Sequence, residues 1–220
     1  MRAIVTCGVV ALIALATVVP VAAQTIYDDG PINGTYSAET INFGIIVADS
    51  FTVSSGTSTL DGLTFGAWLF PGDVLENVQV WVTSEALGGT TYFNQVVNFT
   101  QSACSSNQYG FNVCTETGTF NGPTLANGTY WLNLLNATVN DGDPVYWDEN
   151  SGIGCTSPGC PSEAICNDCI VKGNGAPQLL PPESFTLYGE PVSSVPEPSS
   201  FVLFGSGVLG LIGVARRRLR

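Results

Sequence analysis

The chain has 220 residues, 18 Asp and Glu against 6 Lys and Arg, no histidine, and a formal net charge of −12. The bases are Arg2, Lys172, Arg216, Arg217, Arg218 and Arg220, so the stretch 24–198 holds one lysine against every acid in the chain. This excludes a nucleic-acid-binding face and any histidine-based triad, proton shuttle or histidine-ligated zinc.

The N-terminus reads Met1-Arg2, an apolar run over 3–19, then Pro20-Val21-Ala22-Ala23. A basic start, an apolar stretch and small residues at the end predict a secretory signal peptide over 1–23. Its expected partners are the secretion translocon and a signal peptidase that cuts after Ala23. Cys7 leaves with the signal.

The body, 24–188, predicts an all-β fold. Strand-like runs fall at 44–53, 61–70, 77–84, 91–100, 109–117, 128–137 and 183–188, rich in Val, Ile, Thr, Phe, Tyr and Trp. Alternation puts Val78, Val80 and Val82 on one face. Leu63, Phe65, Ala67 and Leu69 form a second apolar row, and Tyr130, Leu132 and Leu134 a third. Turn signals separate the runs: Pro71-Gly72-Asp73, Gly88-Gly89, Asn121-Gly122-Pro123, Asn127-Gly128 and 140–144. Short strands at this spacing predict an antiparallel β-sandwich, jelly-roll-like in connection.

Six cysteines remain after the signal is cut: Cys104, Cys114, Cys155, Cys160, Cys166 and Cys169. An even number in an oxidising compartment predicts disulfides. Cys104 and Cys114 flank a hairpin-like loop and are expected to pair. The other four crowd together, and either 155–160 with 166–169 or 155–169 with 160–166 suits their spacing. A four-cysteine zinc knot is the alternative there.

The acids offer two further readings. Asn140-Asp141-Gly142-Asp143, with Asp148-Glu149 after it, supplies the hard oxygens that Ca2+ prefers, and the competing reading is a solvated turn and loop. No other cofactor is expected. Glycoside hydrolysis would need two carboxylates across a bond; Asp148 or Glu149 is placed for that, but no spacing singles out a pair, so no catalytic residue is assigned and the expectation is not an enzyme. Trp147, beside those acids, is the candidate platform for a sugar ring. Residues 189–194 read as a linker.

The C-terminus reads Val195-Pro196-Glu197-Pro198, an apolar transmembrane helix over 199–215, then the basic tail of Arg216, Arg217, Arg218 and Arg220. The span is just long enough for a bilayer when arginines snorkel at its end. The tail acts as a stop-transfer cluster that stays on the cytoplasmic side, leaving the body outside. This three-part ending, 195–220, resembles the PEP-CTERM sorting signal of Gram-negative bacteria, read by an exosortase. The resemblance implies export, an inner-membrane anchored precursor held transiently by the helix, and cleavage near the Pro-Glu-Pro motif by the exosortase, which owns the nucleophile. The processed protein is then expected at the cell surface or outside the cell.

The body also resembles an uncharacterised domain of other exported PEP-CTERM proteins. The segments that carry this are Ala48-Asp49-Ser50-Phe51, 63–73, Gly128-Thr129-Tyr130-Trp131-Leu132, 144–150 and Pro182-Glu183-Ser184-Phe185. That resemblance implies a β-sandwich and no activity. The expectation is a non-enzymatic structural or adhesive protein of an exopolysaccharide matrix or biofilm. The alternative is a carbohydrate-binding module, calcium-dependent or not, with extracellular polysaccharide as its partner.

Overall fold

The computed structural model describes residues 23–54, 56–150, 164–167 and 177–192. The signal peptide up to residue 22, the 195–220 ending, Cys155, Cys160 and Cys169 lie outside the described residues. Among the described residues no helix is long and apolar enough to cross a membrane.

The described chain forms β1 (Gln24–Asp28), β2 (Ser37–Thr40), β3 (Ile46–Val53), β4 (Ser58–Leu69), β5 (Leu75–Glu85), β6 (Gly88–Ser106), β7 (Asn112–Thr119), β8 (Thr124–Leu125), β9 (Gly128–Val139), β10 (Tyr146–Glu149), β11 (Ala164–Asn167), β12 (Gln178–Leu180) and β13 (Phe185–Pro191). Each of the seven runs expected as strands is one, with shifted ends. The alternating rows are buried as their period requires: Val78, Val80, Val82, Leu63, Phe65, Ala67, Leu69, Leu132 and Leu134 have no exposed surface.

Hydrogen bonding runs unbroken through β1-β13-β4-β7-β6-β5-β9-β3-β11-β12, with β10 beside β2 and β4, and β8 beside β4. Every pairing is antiparallel. The hinge of this curled sheet is β6. At 19 residues and about 3.3 Å per residue it is too long for one layer. Its first half pairs with β5 and its second with β7, so it bends and serves both halves. The halves then close on one core, where Tyr27 of β1 meets Phe51 of β3 at 6.1 Å between rings. The result is sandwich-like. It differs from a jelly roll of two separate sheets because the ladder continues across β6.

Three local expectations change. The linker expected over 189–194 overlaps β13, which stays paired with β4 through Pro191. The β5–β6 hairpin turns at residues 86–87, before the Gly88-Gly89 pair. Leu87 takes φ 58° there, and its N–H is accepted by Asn133 Oδ1 at 2.9 Å. The segment 146–149, read as an acidic loop, is strand β10, with Trp147, Asp148 and Glu149 buried.

Cys104 and Cys114 are disulfide-bonded and stand directly opposite each other on β6 and β7. Cys166 is also disulfide-bonded and fully buried.

Candidate functional site

No Lys, Arg or His occurs among the described residues. Every buried carboxylate there must be stabilised by hydrogen bonds, by a retained proton or by an ion that the chain does not itself supply.

Asp148 uses hydrogen bonds. Its Oδ1 accepts the Trp68 indole N–H at 2.6 Å and the Gly34 N–H at 3.0 Å. Its Oδ2 accepts the Asn33 N–H at 2.9 Å and the Ser184 hydroxyl at 3.1 Å. The carboxylate thus ties the loop after β1, the end of β4 and the entry to β13 into one knot. Burial still raises its proton affinity, with these four bonds pulling the other way. Two glycines make the approach fit. Gly34 sits at φ +65°, and a Cβ there would lie 2.5 Å from Val113 Cγ2. A Cβ on Gly66 would lie 2.8 Å from Asp148 Cβ.

Behind it, Glu149 and Glu183 face each other across an isolated antiparallel bridge. Burial and the neighbouring Glu39 and Asp148 push Glu149 up to about 8. Glu183 has no exposed surface and neither carboxyl oxygen has a partner. Burial first, then Glu149, Asp49, Glu39 and Asp148, raise it well above the ordinary carboxyl range. Its own backbone N–H donates to Asp49 Oδ2 at 2.7 Å. These acids are interior groups whose burial favours the protonated form.

Trp147 does not serve as a platform. It has no exposed surface, and its indole N–H donates to Ser184 C=O at 3.0 Å. Its ring meets Phe65 at 6.3 Å and Phe185 at 5.7 Å. Strand alternation explains this, since it places Trp147 and Asp148 on opposite faces and both faces of β10 are covered.

An aromatic surface lies elsewhere, made by the exposed Tyr36 and Tyr109 around a buried Trp68. Trp68 points away from the apolar row of β4 and is held by Asp148. Tyr109 stacks on it at 5.5 Å and 21° between planes. Phe111 lies 5.8 Å from Trp68, and Tyr146 lies 5.4 Å from Phe111. With Tyr36, Ser37 and Ala38 these rings enclose an open cleft of about 330 Å³. Tyr36 and Tyr109 are each about half exposed, at 52% and 53%. The Tyr109 hydroxyl donates to Tyr36 C=O at 3.5 Å.

The sequence builds this wall locally. The Cys104–Cys114 bond clamps the base of the β6–β7 hairpin. At its tip Asn107 Oδ1 accepts both the Tyr109 and Phe111 N–H groups at 3.0 Å. Asn107 N–H closes on Phe111 C=O at 2.9 Å. The hairpin therefore presents Tyr109 at a fixed place.

Asp141 and Asp143 do come together, but not with Asp148 or Glu149. Their third partner is Asp73, from the β4–β5 turn; the carboxylate oxygens of all three lie within 4.8 Å of one another. Asp73 is nearly buried, and its Oδ2 has no hydrogen-bond partner. Burial first, then repulsion from Asp141 and a side-chain hydrogen bond with it, then repulsion from Asp143, raise its proton affinity, partly opposed by a backbone hydrogen bond at Phe70. In the sequence Pro71-Gly72-Asp73 signals only a turn. The one available signal was that both turns carry acids. Nothing local showed that they meet.

Residues 194–218 match the PEP-CTERM protein-sorting motif. The chain carries a PEP-CTERM sorting signal. The match covers the expected motif Val195, Pro196, Glu197 and Pro198 together with Arg216, Arg217 and Arg218. The motif implies an exported protein, a membrane-anchored precursor before processing, and an exosortase as the processing enzyme. The match leaves the body unclassified. No curated protein and no solved structure matches the chain.

Proposed function

We propose that the delivered body is a non-enzymatic surface or matrix protein that holds neutral extracellular polysaccharide in the Trp68–Tyr109 cleft. The observation that carries this reading is the cleft itself, with two half-exposed tyrosines and a stacked indole around about 330 Å³. That is near the small end of ligand sites, which run from about 300 Å³ upward. Tyrosine offers an apolar face and a hydroxyl edge. A sugar ring is built the same way, with C–H groups on its faces and hydroxyls around its rim. The acidic body repels anionic polymers at low salt, so an uncharged glycan suits it better.

The non-enzymatic reading draws on the acids. Asp148 spends its oxygens on four donors, and Glu183 is sealed in the interior. Neither carboxyl opens onto the aromatic cleft as a free group. A structural or adhesive role in an exopolysaccharide layer or biofilm follows from holding glycan without cutting it.

Affinity electrophoresis of the processed protein in gels containing neutral polysaccharides tests the cleft. Removing one stacking ring is expected to weaken binding about tenfold, the equivalent of about 1.4 kcal/mol. Tyr109→Ala and Tyr36→Ala should therefore both lose retardation. A wild-type protein retarded by no neutral glycan, or variants retarded as strongly as wild type, would contradict the proposal.

A further inference from the structure

The β4–β5 turn and the loop between β9 and β10 meet at one end of the curled sheet. Asn140 Oδ1 accepts the Val74 N–H at 2.8 Å, which fixes one turn to the other. Asn42 Nδ2 donates to Asp143 C=O at 3.0 Å, and Asn42 Oδ1 accepts the Val145 N–H at 3.4 Å. Asp141 Oδ1 accepts the Asp143 N–H at 3.3 Å. Gly72 and Gly142 take φ +106° and +87°, values that favour glycine and let each turn double back. The backbone around the acids is thus fixed by bonds of which only one, to Asp141 Oδ1, uses any of the three carboxylates.

Three carboxylates gathered within 4.8 Å repel one another. No cationic side chain among the described residues opposes that repulsion. Asp73 is 6% exposed, its Oδ2 is buried without a partner, and it turns toward Asp141 and Asp143. A buried carboxyl oxygen without a donor needs either a retained proton, which Asp73 can share with Asp141, or a partner outside the chain.

We infer that Asp73, Asp141 and Asp143 form a divalent-cation site and that Ca2+ is the ion it takes. The donors are hard oxygens only, which excludes the softer metals that seek nitrogen or sulfur. The exposed side of Asp141 leaves room for waters to complete about 6–8 ligands, as Ca2+ requires and a tight octahedral Mg2+ site does not. The bound ion would lock the two turns together. The site is separate from the aromatic cleft, whose lining includes none of the three acids.

The test uses the full chain in detergent, stripped with chelator and then titrated with Ca2+ while its thermal unfolding is followed. Ca2+ at about 10 mM should raise the melting temperature by about 5 °C or more, with half-effect near 0.1–1 mM, the range of extracellular calcium modules. Asp73→Asn should weaken the Ca2+ midpoint at least about tenfold. In chelator it should melt at or above the wild-type temperature, because a repulsive charge has gone. Asp141→Asn, at an exposed position, carries the same expectation should Asp73→Asn fold poorly. Glu149→Gln should leave the midpoint unchanged. A wild type unmoved by Ca2+, or Asp73→Asn and Asp141→Asn with the wild-type midpoint, would overturn the site. An equal response to Mg2+ would overturn the choice of ion.

Discussion

Asp148→Ala is expected to remove about 4 kcal/mol or more of stability and to lower the melting temperature of the processed protein by about 8–16 °C. Four donors lose their acceptor at once: the Trp68 indole, the Asn33 and Gly34 N–H groups and the Ser184 hydroxyl. Each buried donor left unpaired costs about 1–3 kcal/mol. The loss is structural first, because the knot joins β1, β4, β10 and β13. It reaches the cleft through Trp68, which Asp148 holds in place for Tyr109 to stack on. Asp148→Asn should be milder, since it keeps one acceptor oxygen. Urea or thermal denaturation of the three proteins checks this. A loss below about 1 kcal/mol in the alanine variant would show that the knot is not what secures the sheet.

The second large effect is on pH. Six described carboxyls are displaced the same way: Glu39, Asp73, Glu116, Asp148, Glu149 and Glu183 all hold their protons more tightly. Burial is the first cause in each. Glu116 reaches about 7, with both oxygens unpartnered in the core face of β7. The folded state therefore binds more protons than the unfolded chain between the ordinary carboxyl range and these raised values. Stability is then greatest near or below pH 4.5 to 5 and falls as pH rises through about 7 and 8. This is the reverse of the behaviour of a salt-bridged carboxylate. With chelator present, the melting temperature at pH 8.5 should lie at least about 5 °C below that at pH 5, after allowance for partial solvent screening. Glu116→Gln and Glu149→Gln should each flatten the profile. A melting temperature that climbs from pH 5 to 8.5 would contradict the protonated interior.

These two effects rest on residues that the sequence showed unevenly. The long strands were legible because each buries one face, and Val78–Val80–Val82 or Leu63–Phe65–Ala67–Leu69 announces that face at period two. The strands β1, β2, β8, β10, β11 and β12 run only two to five residues, too few for alternation to separate them from loop. Asp148 and Glu149 looked like solvated acids because charge normally seeks water. The burial of Asp148 depends on donors from Asn33, Gly34 and Ser184, residues far off in sequence that no local pattern connects to it. The sequence favours Trp147 as a platform only by its acidic neighbours; the packing of β10 against β2 and β4 buries it, while Trp68, also buried, lies at the wall of the cleft. The Cys104–Cys114 pair was legible because its two residues flank a short hairpin loop. The sorting signal was legible because it is read as linear sequence, with motif, span and basic tail in order, and owes nothing to the fold of the body.

The central claim is that this chain is exported and handed to an exosortase. The mass of the native protein tests it most directly. Intact mass and terminal peptides of the protein purified from its own cells should show a start near Gln24 and an end at or near Val195-Pro196-Glu197-Pro198, with Cys104–Cys114 oxidised. A native mass that still includes Arg216–Arg220 would contradict it.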